Sequence, residues 1–94
     1  MTRLSPEDCR ARMAGLHADW VLEDGNLTRS FAFKGFARPV QLAGLLGWYA
    51  EKVAHHPDIA FGFGYLRVTW TTHDAGGLTA ADFTAAEGLD RLLA

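Results

Sequence analysis

The 94-residue sequence predicts a two-layer α+β sandwich with the element order α-β-β-α-β-β-α. Two observations carry this prediction. Four segments alternate apolar and polar residues around turn clusters, which is typical of two antiparallel hairpins that are buried on one face. Three further segments repeat apolar residues every three or four positions, which is typical of helices with one apolar face. The helices are therefore expected to cover one face of the strands.

The first helix is predicted from Ser5 to about Leu16. Ser5 is a residue type that accepts hydrogen bonds from the free N–H groups at a helix start, and Pro6 suits the first helical position. Glu7 adds an acidic side chain to the first turn, where the helix dipole favours negative charge.

Both hairpins are predicted from their alternation and from the residues that can turn the chain. In the first hairpin, the cluster at 24–26 turns the chain and residues 27–34 form the returning strand. In the second, residues 64–65 are expected to turn the chain before a strand over residues 66–71. Gly62 is a candidate β-bulge in this hairpin.

The other two helices are predicted from their boundaries. The second is expected to begin after Pro39 and must stop before Pro57, because proline disfavours the helical conformation of the residue before it. The third follows the glycine pair at 76–77. Thr79 can cap its first turn, with Asp82 three residues later as an acidic variant of the capping box.

Composition limits the classes of function. The net charge is -2, with 9 basic and 11 acidic residues scattered along the chain, so direct nucleic-acid binding is not expected. The single cysteine, Cys9, allows neither an internal disulfide nor a CxxC motif, which fits a reducing cytoplasm. No signal-peptide core and no window of ~20 apolar residues occurs, so no membrane span is expected. The length favours a single domain over residues 1–94.

The aromatic side chains are expected to pack in the core or at an interface, with stacking on a flat ligand as the alternative for most of them. The glycines beside Phe61 and Phe63 would let a planar ring approach closely. The full set is Trp20, Phe31, Phe33, Phe36, Trp48, Tyr49, Phe61, Phe63 and Trp70.

The stretch AEKVAHHP, residues 50–57, places two adjacent histidines at a predicted helix end. Glu51 and His55 are four positions apart, so on a helix the carboxylate can accept the imidazole N–H and set its tautomer. Pro57 favours an extended His56, so the two rings can line two walls of one pocket. The alternative is that both histidines are surface residues that compensate the dipole at a helix C-terminus.

A third histidine, His73, is predicted to end the fourth strand on its polar face, beside the loop that begins at Asp74. Taken alone, it could equally be a solvated residue at a strand end. Three histidines and Glu51 also include the ligand types that zinc accepts. Because His55 and His56 are neighbours and neither HExxH nor CxxC occurs, acid/base catalysis is favoured over a metal site.

These motifs together resemble the pterin-4a-carbinolamine dehydratase family, also called 4a-hydroxytetrahydrobiopterin dehydratase. The resemblance rests on FAFKGF at 31–36, AEKVAHHP at 50–57 and THDAGGLTAADF at 72–83, and it extends over residues 20–89. It implies a four-stranded antiparallel sheet backed by three helices. It also implies a homodimer or homotetramer that uses neither a metal nor another cofactor, since the pterin is the substrate.

The resemblance also implies a role for particular residues. His55, His56 and His73 would be catalytic and surround the pterin, with Glu51 and Asp82 in support. The substrate-binding residues would be His55, His56, Pro57, Thr72, His73, Asp74 and Ala75. The chain departs from the family pattern at Ala54, where an acidic residue is common, and at Phe63, where tyrosine is frequent.

The activity that the resemblance implies is the removal of water from 4a-hydroxytetrahydrobiopterin, which gives quinonoid dihydropterin. In the cytoplasm, this step would recycle the pterin used by an aromatic amino acid hydroxylase. The alternative is a non-catalytic binding module that acts as a dimerisation cofactor or an assembly factor. A protein kept only for binding has no need of the histidine set, so its presence favours the enzyme.

Overall fold

The computed structural model describes residues 2–94 and confirms the predicted order of three helices and four strands. The helices are α1 (Pro6–Arg12), α2 (Ala37–Val53) and α3 (Ala80–Leu93). The strands are β1 (Trp20–Glu23), β2 (Asn26–Ala32), β3 (Asp58–Gly62) and β4 (Tyr65–Trp70). No helix within residues 2–94 is long and apolar enough to cross a membrane.

The four strands form one antiparallel sheet in the order β1-β2-β4-β3, so the two hairpins join through β2 and β4. The α+β sandwich is thereby confirmed. In β4, Leu66, Val68 and Trp70 are fully buried, whereas the alternate residues Tyr65 and Arg67 are exposed. The buried side chains form one core with apolar residues of α2 and α3, which cover this face of the sheet.

The start of α1 agrees with the prediction, but its end is earlier. The backbone N–H of Asp8 donates to Oγ of Ser5 over 3.1 Å, and Pro6 occupies the first helical position. The α-helix ends at Arg12, and a tighter 3₁₀ turn over Met13–Gly15 follows before the chain becomes extended. Such a turn is a common way to complete a helix C-terminus.

Helix α2 begins two residues before the predicted limit at Pro39. Pro39 lies within its first turn, where the missing N–H would have no intrahelical partner in any case. The helix ends at Val53 because Ala54 adopts the left-handed conformation, with φ of 55°. The predicted stop before Pro57 is therefore correct, and the boundary itself is set by Ala54.

The turns of both hairpins consist of two residues. Asp24 and Gly25 both have positive φ, of 51° and 76°, as the twist of a tight hairpin requires. In the second hairpin the turn lies at Phe63 and Gly64, one residue earlier than predicted, because Gly64 supplies the positive φ of 85°. Gly62 is not a bulge but pairs directly with Tyr65.

The position predicted for His73 was wrong. Strand β4 ends at Trp70, and His73 begins a 3₁₀ turn that runs to Ala75. The chain leaves the sheet early because Thr72 pairs with Gly77 across this turn in an isolated β-bridge. The capping box of α3 is confirmed, since the N–H of Thr79 donates to Oδ2 of Asp82 over 2.9 Å.

The aromatic residues divide into two groups. Trp20, Tyr49 and Trp70 are buried as predicted, and Phe31 and Phe33 pack at the margin of the core. The expectation of core packing is wrong for four others, which are exposed in this chain because they lie at the hairpin turn, at the margins of the sheet or on the outer side of α2. These are Phe36, Trp48, Phe61 and Phe63, of which Phe63 is 79% exposed. Their packing at an interface stays a prediction.

Candidate active site

The two adjacent histidines lie in an extended segment between α2 and β3. After the left-handed Ala54, the N–H of His55 still donates to the carbonyl of Ala50 over 3.2 Å, which closes the helix end. The carbonyl of His55 accepts a 3.1 Å hydrogen bond from Nε1 of the fully buried Trp70. The backbone that carries the imidazole of His55 is therefore tied both to its helix and to the core.

The partner of the His55 ring is Asp82, in the first turn of α3. Nε2 of His55 lies 2.5 Å from Oδ1 of Asp82, whose side chain is wholly inaccessible to solvent. A buried carboxylate needs hydrogen-bond donors on its remaining lone pairs, and Asp82 has them, since Oδ2 accepts from Thr72 and Thr79. The His55 side chain is only 18% exposed, so its orientation is well defined by this contact.

The expected pairing of Glu51 with His55 was wrong. Oε2 of Glu51 instead contacts Nε2 of His56, and both side chains are largely exposed. The i, i+4 geometry requires a continuous helix, and α2 ends before His55 because of Ala54. The two histidines thus have separate carboxylate partners, one at the surface and one in the core.

His73 occupies the 3₁₀ turn that follows β4. The carbonyl of Thr72 accepts from the N–H of Ala75 over 3.1 Å, and that of His73 accepts from Gly76 over 3.1 Å. Gly76 has φ of 71°, a value that glycine adopts without strain, and it closes the turn. The turn presents the exposed His73 side chain on a backbone with defined internal hydrogen bonds.

One cavity of about 260 Å³ brings the three histidines together. Its lining consists of His55, His56, Thr71, Thr72, His73 and Asp74. Three imidazoles, two hydroxyls and one carboxylate around one space can donate protons to a bound heterocycle and accept protons from it. The cavity therefore brings together the groups for the acid/base catalysis that the sequence predicted for these histidines.

The lining also shows what sequence reasoning missed. Pro57 and Ala75, predicted to bind substrate, are outside the lining of this cavity, and Glu51 and Asp82 stand behind two of the histidines rather than in it. Thr71 was not singled out, although the predicted strand over residues 66–71 ends at it, next to the predicted site residue Thr72. Nothing in the sequence indicated the bond from Trp70 to the His55 carbonyl, because indole donors find partners through tertiary packing.

A second, larger cavity of about 520 Å³ lies on the α3 side of His55. Its walls are mainly apolar and include Val53, Ala54, Ala80 and Ala85. His55 therefore lines both a polar cavity and a mainly apolar one. Among residues 2–94, no group of three or more histidine, cysteine, aspartate or glutamate side chains is arranged to hold a metal ion.

One known protein family matches this chain. The family model described as "Pterin 4 alpha carbinolamine dehydratase" matches residues 2–92, nearly the whole chain. The chain belongs to this family. The resemblance predicted from the three sequence motifs is confirmed, and it covers more of the chain than those motifs did.

Members of the pterin 4 alpha carbinolamine dehydratase family from several bacteria are similar to this chain. A relative from Paracoccus denitrificans, named "Putative pterin-4-alpha-carbinolamine dehydratase", is 46% identical over 88 residues, which span 93% of this chain and 82% of the relative. A relative of the same name from Chloroflexus aurantiacus is 36% identical over 93 residues, 99% of each chain. The similarity therefore extends through all the elements described above.

A solved structure from the same family shares the fold. It is the crystal structure of a "transcriptional coactivator/pterin dehydratase" from Brucella melitensis, which superposes with a TM-score of 0.86 at 28% sequence identity. The superposition covers 99% of this chain and 100% of that one. The four-stranded sheet with three helices is thus the fold of this family member as well.

Proposed function

We propose that the chain catalyses the dehydration of 4a-hydroxytetrahydrobiopterin to quinonoid dihydropterin and water. The observation that carries the proposal is the cavity in which His55, His56 and His73 meet. Family membership adds the substrate class, since the family is named for the dehydration of a pterin carbinolamine. The enzyme would be a hydro-lyase that recycles the pterin of an aromatic amino acid hydroxylase.

The reaction requires two proton transfers. The C4a–O bond breaks as the hydroxyl group gains a proton and leaves as water, while N5 loses a proton and the C4a=N5 double bond forms. Hydroxide is a poor leaving group, so an acid is needed near the hydroxyl and a base near N5. Histidine is suited to both roles because its ordinary pKa of about 6.5 lies near neutrality.

Within this proposal, His56 and His73 divide the two proton transfers, and His55 orients the pterin and shares the acid role. His56 and His73 are the more exposed pair, and they lie on different segments: His56 lies between α2 and β3, and His73 follows β4. Glu51 supports His56, and Asp82 supports His55. Asp74 and the backbone of Thr72 contribute further contacts to the ring, and Pro57 and Ala75, which lie outside the cavity lining, remain predicted substrate-binding residues.

Substitution of the histidines tests the proposal. We expect His56→Ala and His73→Ala each to lower the rate of dehydration by ~10²-fold or more, the usual size of acid/base assistance. The measurement is a spectrophotometric assay with freshly generated 4a-hydroxytetrahydropterin. Wild-type rates in both variants would exclude these roles, and an inactive wild-type protein would exclude the activity itself.

The fourth histidine provides a matched control. His17 lies outside the lining of the cavity: its Nδ1 accepts from the N–H of Asp19 over 3.0 Å, and its own N–H donates to Asp90 near the end of α3. His17→Ala should therefore keep the wild-type rate. Incubation with EDTA should also leave the rate unchanged, and a loss that zinc restores would show that a metal takes part.

A second candidate function is binding to a macromolecular partner. The name of the Brucella melitensis protein includes "transcriptional coactivator", and this chain exposes apolar side chains along α2 and α3. Trp48, Val53 and Leu92, which are 40% to 55% exposed, line a groove with Lys52 and Arg91. A pull-down that succeeds with a variant lacking all three site histidines would support this function apart from catalysis.

The proposal also includes the surroundings of the enzyme. We expect a homodimer or homotetramer, since family resemblance implies one and the chain exposes Phe36 and Phe61 with their ring centroids 6.4 Å apart, as well as Phe63 in the hairpin turn. The protein would act in the cytoplasm without a cofactor of its own. Light scattering coupled to size-exclusion chromatography measures the oligomeric state, and a monomer at micromolar concentration would contradict it.

A further inference from the structure

The carboxylate of Asp82 joins two parts of the candidate site that are far apart in sequence. Its Oδ1 contacts Nε2 of His55, 27 positions earlier, and its Oδ2 accepts from Oγ1 of Thr72 over 2.8 Å. Asp82 is fully buried, so water does not compete for these contacts. Any shift of the carboxylate therefore moves the hydrogen-bond partner of the His55 ring.

Thr72 is the residue through which the turn of His73 reaches this carboxylate. Its hydroxyl has one proton, which the bond to Oδ2 of Asp82 uses, and its oxygen lies 2.9 Å from Oγ1 of Thr79. Its backbone carbonyl accepts from the N–H groups of Ala75 and Gly77, which close the turn. The same residue thus contacts the partner of His55 and shapes the backbone that carries His73.

These contacts determine the tautomer of His55. Oδ2 of Asp82 already accepts from Thr72 and from the N–H of Thr79, which are the partners of an ionised carboxylate. Oδ1 must then accept from His55, so the imidazole proton lies on Nε2. The nitrogen left for the reaction is Nδ1.

We propose that Thr72 is a positioning residue, which acts through Asp82 to hold His55 as the Nε2–H tautomer and leaves Nδ1 as its reactive nitrogen. The part of this inference that concerns turnover rests on the proposed function. The part that concerns the tautomer rests on the hydrogen bonds alone. The two parts can therefore be tested separately.

Nitrogen NMR tests the tautomer without any substrate. In the ¹⁵N-histidine-labelled protein at a pH near 8.5, where ordinary imidazoles are neutral, His55 should show a protonated Nε2 and an unprotonated Nδ1. Thr72→Val should mix the two tautomers, and Thr72→Ser, which keeps the hydroxyl, should restore the wild-type spectrum. A protonated Nδ1 in the wild-type protein, or an unchanged spectrum in Thr72→Val, would overturn the proposal.

Kinetics tests whether Thr72 acts through His55. We expect Thr72→Val to lower kcat on the order of 10-fold and to leave KM within about threefold, while Thr72→Ser stays near the wild-type rate. In a His55→Ala background the same change should have no further effect, because the residue it positions is gone. A full, additive loss in that background would show a separate role and would contradict the inference.

A control keeps these results apart from a general effect of losing a threonine hydroxyl. Thr28→Val removes a 3.2 Å hydrogen bond between the hydroxyl groups of Thr28 and Thr69, neither of which lines the candidate site, and it should keep wild-type kinetics and the His55 spectrum. If Thr72→Val does not fold, Thr72→Ala removes the same hydroxyl without adding a methyl group against Thr79. If the wild-type protein does not dehydrate the pterin, the proposed function fails, and the NMR result still decides the tautomer.

Discussion

A single backbone conformation, that of Ala54, determines how the two adjacent histidines are used. Its φ of 55° ends α2 and turns His55 away from the helix axis. The left-handed region is unfavourable for any residue with a Cβ, by about 1–2 kcal/mol. The chain therefore retains some strain at Ala54. Because the helix ends there, Glu51 contacts His56 instead of its expected partner His55.

The strain at Ala54 gives a prediction about stability. Ala54→Gly should raise the free energy of unfolding by about 0.5–1 kcal/mol, because glycine adopts this φ freely but loses more backbone entropy on folding. Urea denaturation followed by tryptophan fluorescence measures the change. Gly64→Ala, at a φ of 85°, is the matched reverse change and should destabilise the fold. A less stable Ala54→Gly protein would contradict this prediction, since it would show that the loss of backbone entropy outweighs the relief of strain at this position.

Two neighbouring helices, α2 and α3, make close contact at one glycine. The hydroxyl of Tyr49 donates to the carbonyl of Ala85 over 2.6 Å, and its ring meets Trp70 edge-on at 6.2 Å. A Cβ at Gly88 would lie 2.2 Å from the Tyr49 hydroxyl oxygen, so the helices approach this closely only because residue 88 is glycine. The packing that holds α3, and with it Asp82, depends on this small residue.

Glycine substitutions on the two helices should therefore have opposite effects. Gly88→Ala should destabilise the protein by about 1–3 kcal/mol, since the buried Tyr49 ring must shift and lose its hydrogen bond. Gly47→Ala, where nothing lies within 4 Å of the added Cβ, should instead stabilise by about 0.5–1 kcal/mol through helix propensity. Thermal unfolding of both variants is the measurement. If both substitutions stabilised the protein equally, helix propensity alone would explain their effects and the contact of Gly88 with Tyr49 would not matter.

For the molecule as a whole, alkaline pH should weaken the fold through two buried acids. Burial raises the pKa of the Cys9 thiol above its ordinary value of 9.0, with the charges of Asp8 and Asp82 adding to the shift. Burial likewise raises the pKa of the Tyr49 hydroxyl above 10.0. The fold favours the neutral form of both groups. Their contribution to the free energy of unfolding is therefore complete below their ordinary pKa values and is lost as the pH rises through their raised pKa values in the fold.

The expected result is a free energy of unfolding that falls as the pH rises above the ordinary value of 9.0 for Cys9. In a Cys9→Ala, Tyr49→Phe double variant this fall should be shallower, because neither group remains to ionise. Urea titrations at a series of alkaline pH values measure both slopes. Identical slopes in the two proteins would mean that other groups cause the loss of stability.

The raised pKa of the Cys9 thiol also predicts slow alkylation of Cys9 at neutral pH, because the thiolate is the reactive form.

Much of this protein follows from its sequence, because local interactions act over a few residues. Ser5 and Pro6 define the start of α1, and Thr79 with Asp82 defines that of α3. The alternation in β4 identifies its buried face. The order of elements, the two-layer architecture and the set of three site histidines were all accessible by such reasoning, since periodicity and turn chemistry determine them.

Only the tertiary structure shows which carboxylates His55 and His56 contact. Asp82 was predicted to cap a helix and support the site, but its contact with His55 spans 27 positions and leaves no periodic trace in the sequence. The local i, i+4 expectation instead paired Glu51 with His55, and it failed where Ala54 left the helix. Spacing predicts contacts only while the backbone stays regular. The site histidines are therefore identified from the sequence, whereas the carboxylate partner of His55 is determined by the packing of α3 and that of His56 by the end of α2 at Ala54.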